Sequence, residues 1–518
     1  MLETPPGSVD VYAFESGDVV AIHDHSITPL FRMVRPNLGL QLPYRRFQAP
    51  AQVGRSVRDQ LLQRRIAVEP REEAPYDDDP AFWSRVTYKG AFDGTTEATW
   101  LTQLSWLSEN FKLVQQTVSG NVTSDVEWFA SVLLEGQVFV QPGVTLTLKA
   151  GINVVAKPKS AEGDAAAALV ILPGARILAA GTADKPITFT TTISESLLPD
   201  RGLWGGLIIM GNAPVYQGTQ EVEGLEGYTY GGADAMDDSG VLSYIRVWHG
   251  GSVIAADNEI NGITFAGVGS GTTVDHVEVA FNLDDGIEFF GGSVNVKYAS
   301  VLFCDDDAID TDMGYVGKIQ FAFIMVGRTG HHALEMDSNI DETPRSFPQL
   351  YHATIVHSLG AAEPDEPTIN LREGTGGEFA NIIVTNIPSK AVHQDSCGSE
   401  TRTHVKPAAG SPDYLWFSSN NIVHSANNIT TFDLDSSCAG LDTVLVADPS
   451  LRFVPEEADE AIIGVDPRPK ANSIAFDDVD DVPADDYFEA VPYKGAFSAG
   501  GNWLNEWSWL AERFILIA

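Results

Sequence analysis

Carboxylates recur at matching positions of short apolar strands in the centre of the chain. The repeating strands read Ile287-Glu288-Phe289-Phe290, Ile309-Asp310-Thr311-Asp312, Leu334-Glu335-Met336-Asp337, Ile369-Asn370-Leu371-Arg372 and Val392-His393-Gln394-Asp395. Side chains alternate between the two faces of a strand, so the polar positions face away from the apolar ones. If successive strands stack about 4.8 Å apart, their carboxylates would be spaced at roughly 5–7 Å. The pattern therefore predicts an outward-facing patch made by Glu288, Asp310, Glu335, Asp312 and Asp337.

Such a patch must relieve its own repulsion, which is about 1 kcal/mol per close pair even in water. Some carboxyls could keep a proton and act as an acid/base pair. A hard cation such as Ca²⁺ could bridge them, because it binds six to eight oxygen atoms. Alternatively, Arg372, Arg328 and Lys318 could neutralise a purely structural patch. The sequence leaves all three arrangements open.

Each arrangement implies its own set of residues. The candidates for catalysis are Asp310, Asp312, Asp337, Arg372 and His393. The candidates for binding Ca²⁺, the expected cofactor, are Asp284, Asp285, Glu288, Asp306, Asp307, Asp310 and Glu335. His331 and His332 look like a metal-binding pair, but adjacent strand residues point to opposite faces. We do not expect them to share an ion unless they lie in a turn.

The strands that carry these residues recur at regular distances. Apolar strands begin near Val241, Val274, Val296, Ile319, Leu350 and Phe379, which are 22 to 33 residues apart. Each is followed by a polar turn and one of the second strands above, whose first apolar residue is expected to point inward. A β-sandwich would need antiparallel strands and hairpin turns, whereas here similar segments follow one another. We therefore predict an all-β fold, a single-stranded parallel β-helix.

A second repeat flanks this body. Tyr88-Lys89-Gly90-Ala91-Phe92 recurs as Tyr493-Lys494-Gly495-Ala496-Phe497, and each copy is followed by a Trp-Leu and a Ser-Trp-Leu motif. Each copy is predicted to form a strand, a turn and a short amphipathic helix that caps one end of the coil. The expected organisation is an Arg-rich, irregular leader at 1–75, an N-terminal cap at 76–117, a β-helix at 118–440 and a C-terminal segment with its cap at 441–518.

Composition restricts the partners and the compartment. The chain has 518 residues, with 71 acidic and 32 basic side chains and a net charge of -39. Such a surface repels nucleic acid, and no apolar run is long enough to cross a membrane. A saline habitat explains the acidity as well as an ion-binding site does. The first 25 residues show no secretory signal, whereas Cys397 and Cys438 lie in similar polar turns and could pair, leaving Cys304 free.

Several segments resemble a known family. They are Pro186-Ile187-Thr188-Phe189-Thr190, Trp204-Gly205-Gly206-Leu207-Ile208-Ile209, the run from Asn258 to Phe265, the run from Gly269 to Val274, and the paired Tyr-Lys-Gly-Ala-Phe units. Together they resemble a family of largely uncharacterised bacterial secreted or surface proteins with a right-handed, pectate-lyase-like β-helix. The resemblance covers roughly residues 80 to 518. It implies an extracellular or cell-surface location and brings no agreed activity.

Two functions fit these observations. The first is a structural, adhesive or glycan-binding scaffold, with an extended glycan or cell-surface polymer as partner and Ca²⁺ on its acidic face. The alternative is a polysaccharide-degrading enzyme. An inverting hydrolase would use two of the stacked carboxyls, and a lyase would, by the resemblance, use Ca²⁺ with Arg372 or Lys318 as base. Trp248, Phe290 and Tyr315 would then be placed to stack on sugars.

Overall fold

The computed structural model describes residues 116–517, apart from 160–164, 194–197, 223–224, 226, 253–259, 408–412 and 460, together with three strands near the N terminus. The chain divides into two compact units, Met1–Tyr88 and Lys89–Ala518. In the first unit, β1 (Val9–Ala13), β2 (Val20–Asp24) and β3 (Arg45–Gln48) form an antiparallel sheet in the order β2-β1-β3. The N-terminal cap expected at 76–117 lies outside the described residues, except for its last two positions.

The second unit is built almost entirely of short strands. Twenty-seven of them share one continuous hydrogen-bonded network. They are β4 (Gln116–Val122), β5 (Val126–Trp128), β6 (Val132–Val140), β7 (Thr145–Leu148), β8 (Asn153–Ala156), β9 (Ala168–Ile171), β10 (Arg176–Ala180), β11 (Ile187–Thr191), β12 (Leu207–Met210), β15 (Gly240–Trp248), β16 (Ile263–Ala266), β17 (Thr273–Ala280), β18 (Ile287–Phe290), β19 (Asn295–Leu302), β20 (Ile309–Asp312), β21 (Lys318–Met325), β22 (Leu334–Met336), β23 (Gln349–Val356), β24 (Pro367–Leu371), β25 (Gly377–Ala380), β26 (Ile383–Thr385), β27 (Lys390–Gln394), β28 (Thr401–Thr403), β29 (Tyr414–Phe417), β30 (Ile422–His424), β31 (Thr430–Leu434) and β32 (Leu445–Val446).

The remaining described elements lie outside this network. Two antiparallel pairs are formed by β13 (Gln220–Glu221) with β14 (Thr229–Tyr230) and by β33 (Leu451–Phe453) with β34 (Asp466–Pro469). The helical elements are a 3₁₀ turn, η1 (Ile474–Phe476), and one four-residue helix, α1 (Trp509–Glu512). No helix among the described residues has the length and apolar character needed to cross a membrane.

All pairings in the large network are parallel and join each strand to its equivalent in the next turn. One face of the coil, here called the ladder face, stacks β9, β12, β16, β18, β20, β22, β24, β27 and β31. The two halves of the longer strands β15, β17, β19, β21 and β23 stack as two further faces. This arrangement confirms the predicted parallel β-helix and excludes a sandwich.

The interior follows the predicted register. Ile287 pairs with Ile309, Ile309 with Leu334, Leu334 with Ile369 and Ile369 with Val392. All five side chains belong to one buried core and are at most 1% exposed. Fully burying such a side chain contributes about 1.5–3 kcal/mol, so this column is a main source of stability for the ladder face.

A column of rings marks the bend between the two halves of the longer strands. Tyr244, His276, Tyr298, Phe321 and His352 occupy equivalent positions, and each has a positive φ between 50° and 62°. Their rings stack at centroid distances of 4.3 to 5.5 Å. A positive φ is unfavourable for bulky residues, and here the stacking between neighbouring turns stabilises it.

The C-terminal segment (residues 477–517) covers this aromatic column and does not close the end of the coil. Its contacts cross successive turns: Lys297 Nζ donates to Tyr487 O at 2.7 Å, Ala496 N donates to Thr354 Oγ1 at 2.9 Å, and Trp509 N donates to Glu278 Oε1 at 2.7 Å. The predicted helical cap is therefore wrong for this copy of the repeat. Its apolar residues pack against the side of the coil, where Trp503 contacts the rings of His276 and Tyr298, and only α1 is helical.

Many of the residues shared by the two copies of the repeat are buried in the second copy. Lys494, Ala496, Phe497, Leu504 and Leu510 are each at most 1% exposed. Gly495 has a φ of 82°, and a Cβ there would lie 2.6 Å from Thr354 Oγ1. The glycine of Tyr-Lys-Gly-Ala-Phe is thus required by close approach to the coil.

A disulfide joins Cys397 and Cys438, which are 41 residues apart, and Cys304 is buried and free. The pairing considered from the sequence is confirmed. The bond links the loops after β27 and β31, two strands that are neighbours on the ladder face.

Candidate functional site

The polar columns of the ladder face stack in the predicted order. Glu288 pairs with Asp310, Asp310 with Glu335, Glu335 with Asn370 and Asn370 with His393. In the second column Asp312 pairs with Phe290, and backbone hydrogen bonds join Asp337 to Thr311 and Arg372 to Met336. Because the strands are parallel and in register, like positions from separate turns lie side by side.

The first column is covered, although the sequence predicted an outward-facing patch. Glu288 is 8% exposed, Asp310 9% and Asn370 7%. Asn261, itself buried, donates a hydrogen bond from its side-chain amide to the Glu288 carboxylate. Side-chain alternation correctly separates these residues from the core, but it does not report what packs over them.

Asp285, Glu288 and Asp310 form the most buried group of acids. One carboxylate oxygen from each lies within 4.8 Å of the others. Burial, followed by repulsion from neighbouring carboxylates, holds the pKa of Asp285 and of Asp310 well above the usual range. Oδ1 of Asp310 is buried and has no hydrogen-bond partner among the described residues.

Arg372 neutralises the other side of the ladder. Its guanidinium lies 2.9 Å from Glu335 Oε1 and 3.2 Å from Asp337 Oδ1. Burial nevertheless raises the pKa of Asp337 to about 8, and it also raises the pKa of Asp312. The role expected for Arg372 as a counter-ion therefore fits the geometry. The same role is wrong for Lys318, whose ammonium lies 2.6 Å from Asp485 in the C-terminal segment.

A third group lies in the turns that precede β20 and β22. Burial raises the pKa of Asp307 to about 8. Hydrogen bonds to Asp306 and Asp307 raise the pKa of His331 to about 10, whereas burial lowers that of His332. One ligand atom each from Asp307, His331 and His332 lies within 4.8 Å of the others, and the two rings are 3.8 Å apart.

From the sequence, the two histidines were expected to share an ion only if they lay in a turn, because neighbours in a strand point apart. Both residues lie before β22 (Leu334–Met336), in a turn where that rule does not apply. The run of turn-forming residues Gly327-Arg328-Thr329-Gly330 directly before them is the signal that could have identified the turn.

The arrangement of the fold agrees with a comparison against known families. The chain matches the model of a family described as pectate-lyase like beta helix domain over residues 120–435, more than half of its length. The chain belongs to this family. No curated protein and no solved structure matches it.

The pectate-lyase-like coil brings together only part of the predicted site. Asp310, Asp312, Asp337 and Arg372 lie on consecutive turns, whereas His393 lies three turns from Asp310, about 14 Å along the stack. His393 is instead 3.5 Å from Asp395 and 3.3 Å from Asp433. Among the acids expected to bind a cation, Asp284, Asp285 and Asp306 form one group within 4.8 Å, and Asp285 also belongs to the group with Glu288 and Asp310.

Two of the aromatic residues expected to stack on sugars are not accessible. Tyr315 is 0% exposed and donates to Val294 O at 2.8 Å inside the coil. Trp248 is 6% exposed, and its indole nitrogen donates to Glu278. Phe290 is partly buried and packs against Tyr230 at 6.2 Å. The sugar-stacking prediction is therefore wrong for Tyr315 and Trp248.

Proposed function

We propose that this protein is an extracellular β-helix scaffold that holds Ca²⁺ at Asp285, Glu288 and Asp310 and binds an acidic glycan through that ion. The single observation that carries the proposal is the buried Asp310 Oδ1, which has no hydrogen-bond partner among the described residues while two other carboxylates lie within 4.8 Å. Ionising a buried carboxyl that has no partner is costly, which is why the pKa of Asp310 is raised. A bound cation would remove that cost.

The donors around this group suit a hard ion. Three carboxylates supply oxygen, and Asn261, which donates to Glu288, has a buried Oδ1 that likewise has no partner in the described part of the chain. Ca²⁺ prefers carboxylate and amide oxygens. Counter-ions from the protein lie elsewhere on this face, since Arg372 binds Glu335 and Asp337.

The overall charge explains why a glycan would need the ion. A chain with a net charge of -39 repels an acidic polymer. A divalent cation held on the ladder face would offset most of the local negative charge and could share its remaining coordination positions with the carboxylates of the polymer. Binding of an acidic glycan is therefore expected only when Ca²⁺ is present.

The test combines calcium titration calorimetry with a glycan panel, using the full chain after dialysis against EDTA. We expect Ca²⁺ binding that Asp310→Asn weakens at least about tenfold, equivalent to about 1.4 kcal/mol. Asp486→Asn, which changes an exposed acid of the C-terminal segment, should bind like the wild type. No heat of Ca²⁺ binding, or equal affinities in both variants, would refute the ion site. Glycan binding that persists in EDTA would refute the bridging role.

A polysaccharide-cleaving activity is the second candidate, favoured by one observation. The pKa of Asp337 is raised to about 8 by burial, so this carboxyl holds a proton at neutral pH beside Arg372. A protonated carboxyl is what glycosidic bond cleavage needs as general acid. Release of reducing ends from any glycan in the panel, lost in Asp337→Asn but kept in Asp486→Asn, would support it. No release across neutral and acidic glycans leaves the scaffold function.

A further inference from the structure

The turns before β20 and β22 place a buried carboxylate beside two histidine rings. We propose that Asp307, His331 and His332 form a second cation site, one that selects a transition metal such as Zn²⁺ over Ca²⁺. One ligand atom from each residue lies within 4.8 Å of the other two. Asp307 and His332 are each 2% exposed. The site goes beyond the Ca²⁺ group, with which it shares no residue.

The hydrogen bonds of His332 set it up as a ligand. Its Nδ1 lies 2.6 Å from the carbonyl oxygen of Pro367. A carbonyl can only accept, so Nδ1 carries the hydrogen and the lone pair lies on Nε2, which accepts from Asn370 Nδ2 at 3.4 Å when no metal is bound. Histidines that bind metals characteristically donate their other ring N–H to a carbonyl or carboxylate, which fixes the tautomer and the ring orientation.

His331 offers the second nitrogen and a route from solvent. Its side chain is 33% exposed, its Nδ1 lies 3.2 Å from Asp306 and 3.5 Å from Asp307, and its Nε2 lies 3.6 Å from Glu366. With a metal bound, one of these carboxylates would orient the ring. Glu363 and Glu366 form a further group with His331 within 4.8 Å, which would collect cations at the entrance.

A competing explanation uses the same contacts. A protonated His331 would serve as the counter-ion of Asp306, Asp307 and Glu366, with no metal involved. The two explanations differ at His332. A counter-ion role for His331 does not require the Nε2 lone pair of His332, whereas a metal ligand does.

The donor set decides the class of metal. Two imidazole nitrogens and one carboxylate are ligands typical of Zn²⁺ and its neighbours in the first transition row. Ca²⁺ prefers oxygen alone, and the group of Asp285, Glu288 and Asp310 offers only carboxylate oxygen. The coil would therefore hold two ions of different classes, each with its own residues.

The test is a titration of the full chain with CoCl₂ and ZnCl₂ after EDTA dialysis. Co²⁺ bound to nitrogen ligands in a closed site absorbs visible light, whereas Co²⁺ in water absorbs very weakly. We expect one absorbing Co²⁺ per chain, displaced by Zn²⁺ and unaffected by a tenfold excess of Ca²⁺. His332→Gln should weaken binding at least tenfold. The matched control His352→Gln, which changes a buried histidine of the aromatic column, should bind like the wild type.

Asp310→Asn separates this site from the proposed Ca²⁺ site. If this variant loses Ca²⁺ binding and keeps Co²⁺ binding, both sites are supported. If it keeps the binding of both ions, the Ca²⁺ site alone is refuted. Absent Co²⁺ binding, or binding that His332→Gln leaves unchanged, refutes the transition-metal site. If His332→Gln does not fold, anomalous diffraction at the zinc edge from soaked wild-type crystals decides. A peak between Asp307 and His332 supports the site, and any other result overturns it.

Discussion

Replacing Asp337 by asparagine should remove part of the loss of stability that this protein undergoes as the pH rises from about 4 to about 8. The carboxyl is 13% exposed, and burial raises its pKa in the folded state from 3.8 to about 8. The folded state therefore holds this proton more tightly than the unfolded chain does. The stability contributed by the proton is fully present below pH 3.8 and is lost as the pH rises to about 8.

The size of this effect follows from the difference between the pKa of Asp337 in the unfolded chain and its pKa in the folded state. Between the two pKa values the free energy of unfolding falls by up to about 1.4 kcal/mol per pH unit for this group, at most about 6 kcal/mol in all. Asp337→Asn keeps the shape of the side chain and has no proton to lose. It also leaves Arg372 its contact with Glu335 at 2.9 Å.

The assay is urea unfolding of the wild type, Asp337→Asn and Asp486→Asn in EDTA at one-unit steps from pH 5 to pH 9. The Asp337→Asn variant should gain stability relative to the wild type with each step up to pH 8, so that the two curves diverge. Asp486→Asn should follow the wild type. Curves for wild type and Asp337→Asn that stay parallel across the range would show that the buried carboxyl does not retain its proton.

Three further changes test the parts that support the site. Trp509→Ala should cost about 3–5 kcal/mol, because the indole packs edge-on against Phe281 at 4.9 Å, and thermal unfolding measures it. Cys397→Ser should cost roughly 4 kcal/mol by opening the 41-residue link to Cys438, a difference from the wild type that dithiothreitol should abolish. Glu278→Ala removes the acceptor for the backbone amide of Trp509, so hydrogen exchange over residues 503–516 should rise while the ladder face stays protected. Unchanged exchange there would contradict this anchoring.

The stacking order of the ladder face was predictable from the residues alone. Ile287, Ile309 and Leu334 recur with a polar residue directly after each, and a parallel coil can bury such a pattern only in one register. A shift by one residue would place Glu288 and Asp310 in the core. The cost of burying those charges specifies the register, so the sequence was sufficient.

The residues that pack over the carboxylates of the ladder face were not predictable in the same way. Strand alternation says that Glu288 faces away from the core, but whether it meets water depends on other segments of the chain, such as the one that carries Asn261. The partner of Lys318 is likewise remote in the sequence, since its ammonium pairs with Asp485, 167 residues away. No local pattern reports such contacts.

The sequence by itself determined the coil, its register and the identity of the stacked polar columns, because these follow from burying apolar residues at a period of two along each strand. Only the tertiary structure decided which carboxylates are buried, which acids Arg372 neutralises, and that His331 and His332 face a common point with Asp307. The physical reason is that these outcomes depend on turn conformation and on packing between remote segments. The position of the C-terminal segment along the aromatic column has the same origin, since its Trp residues dock on a surface that exists only after the turns have stacked.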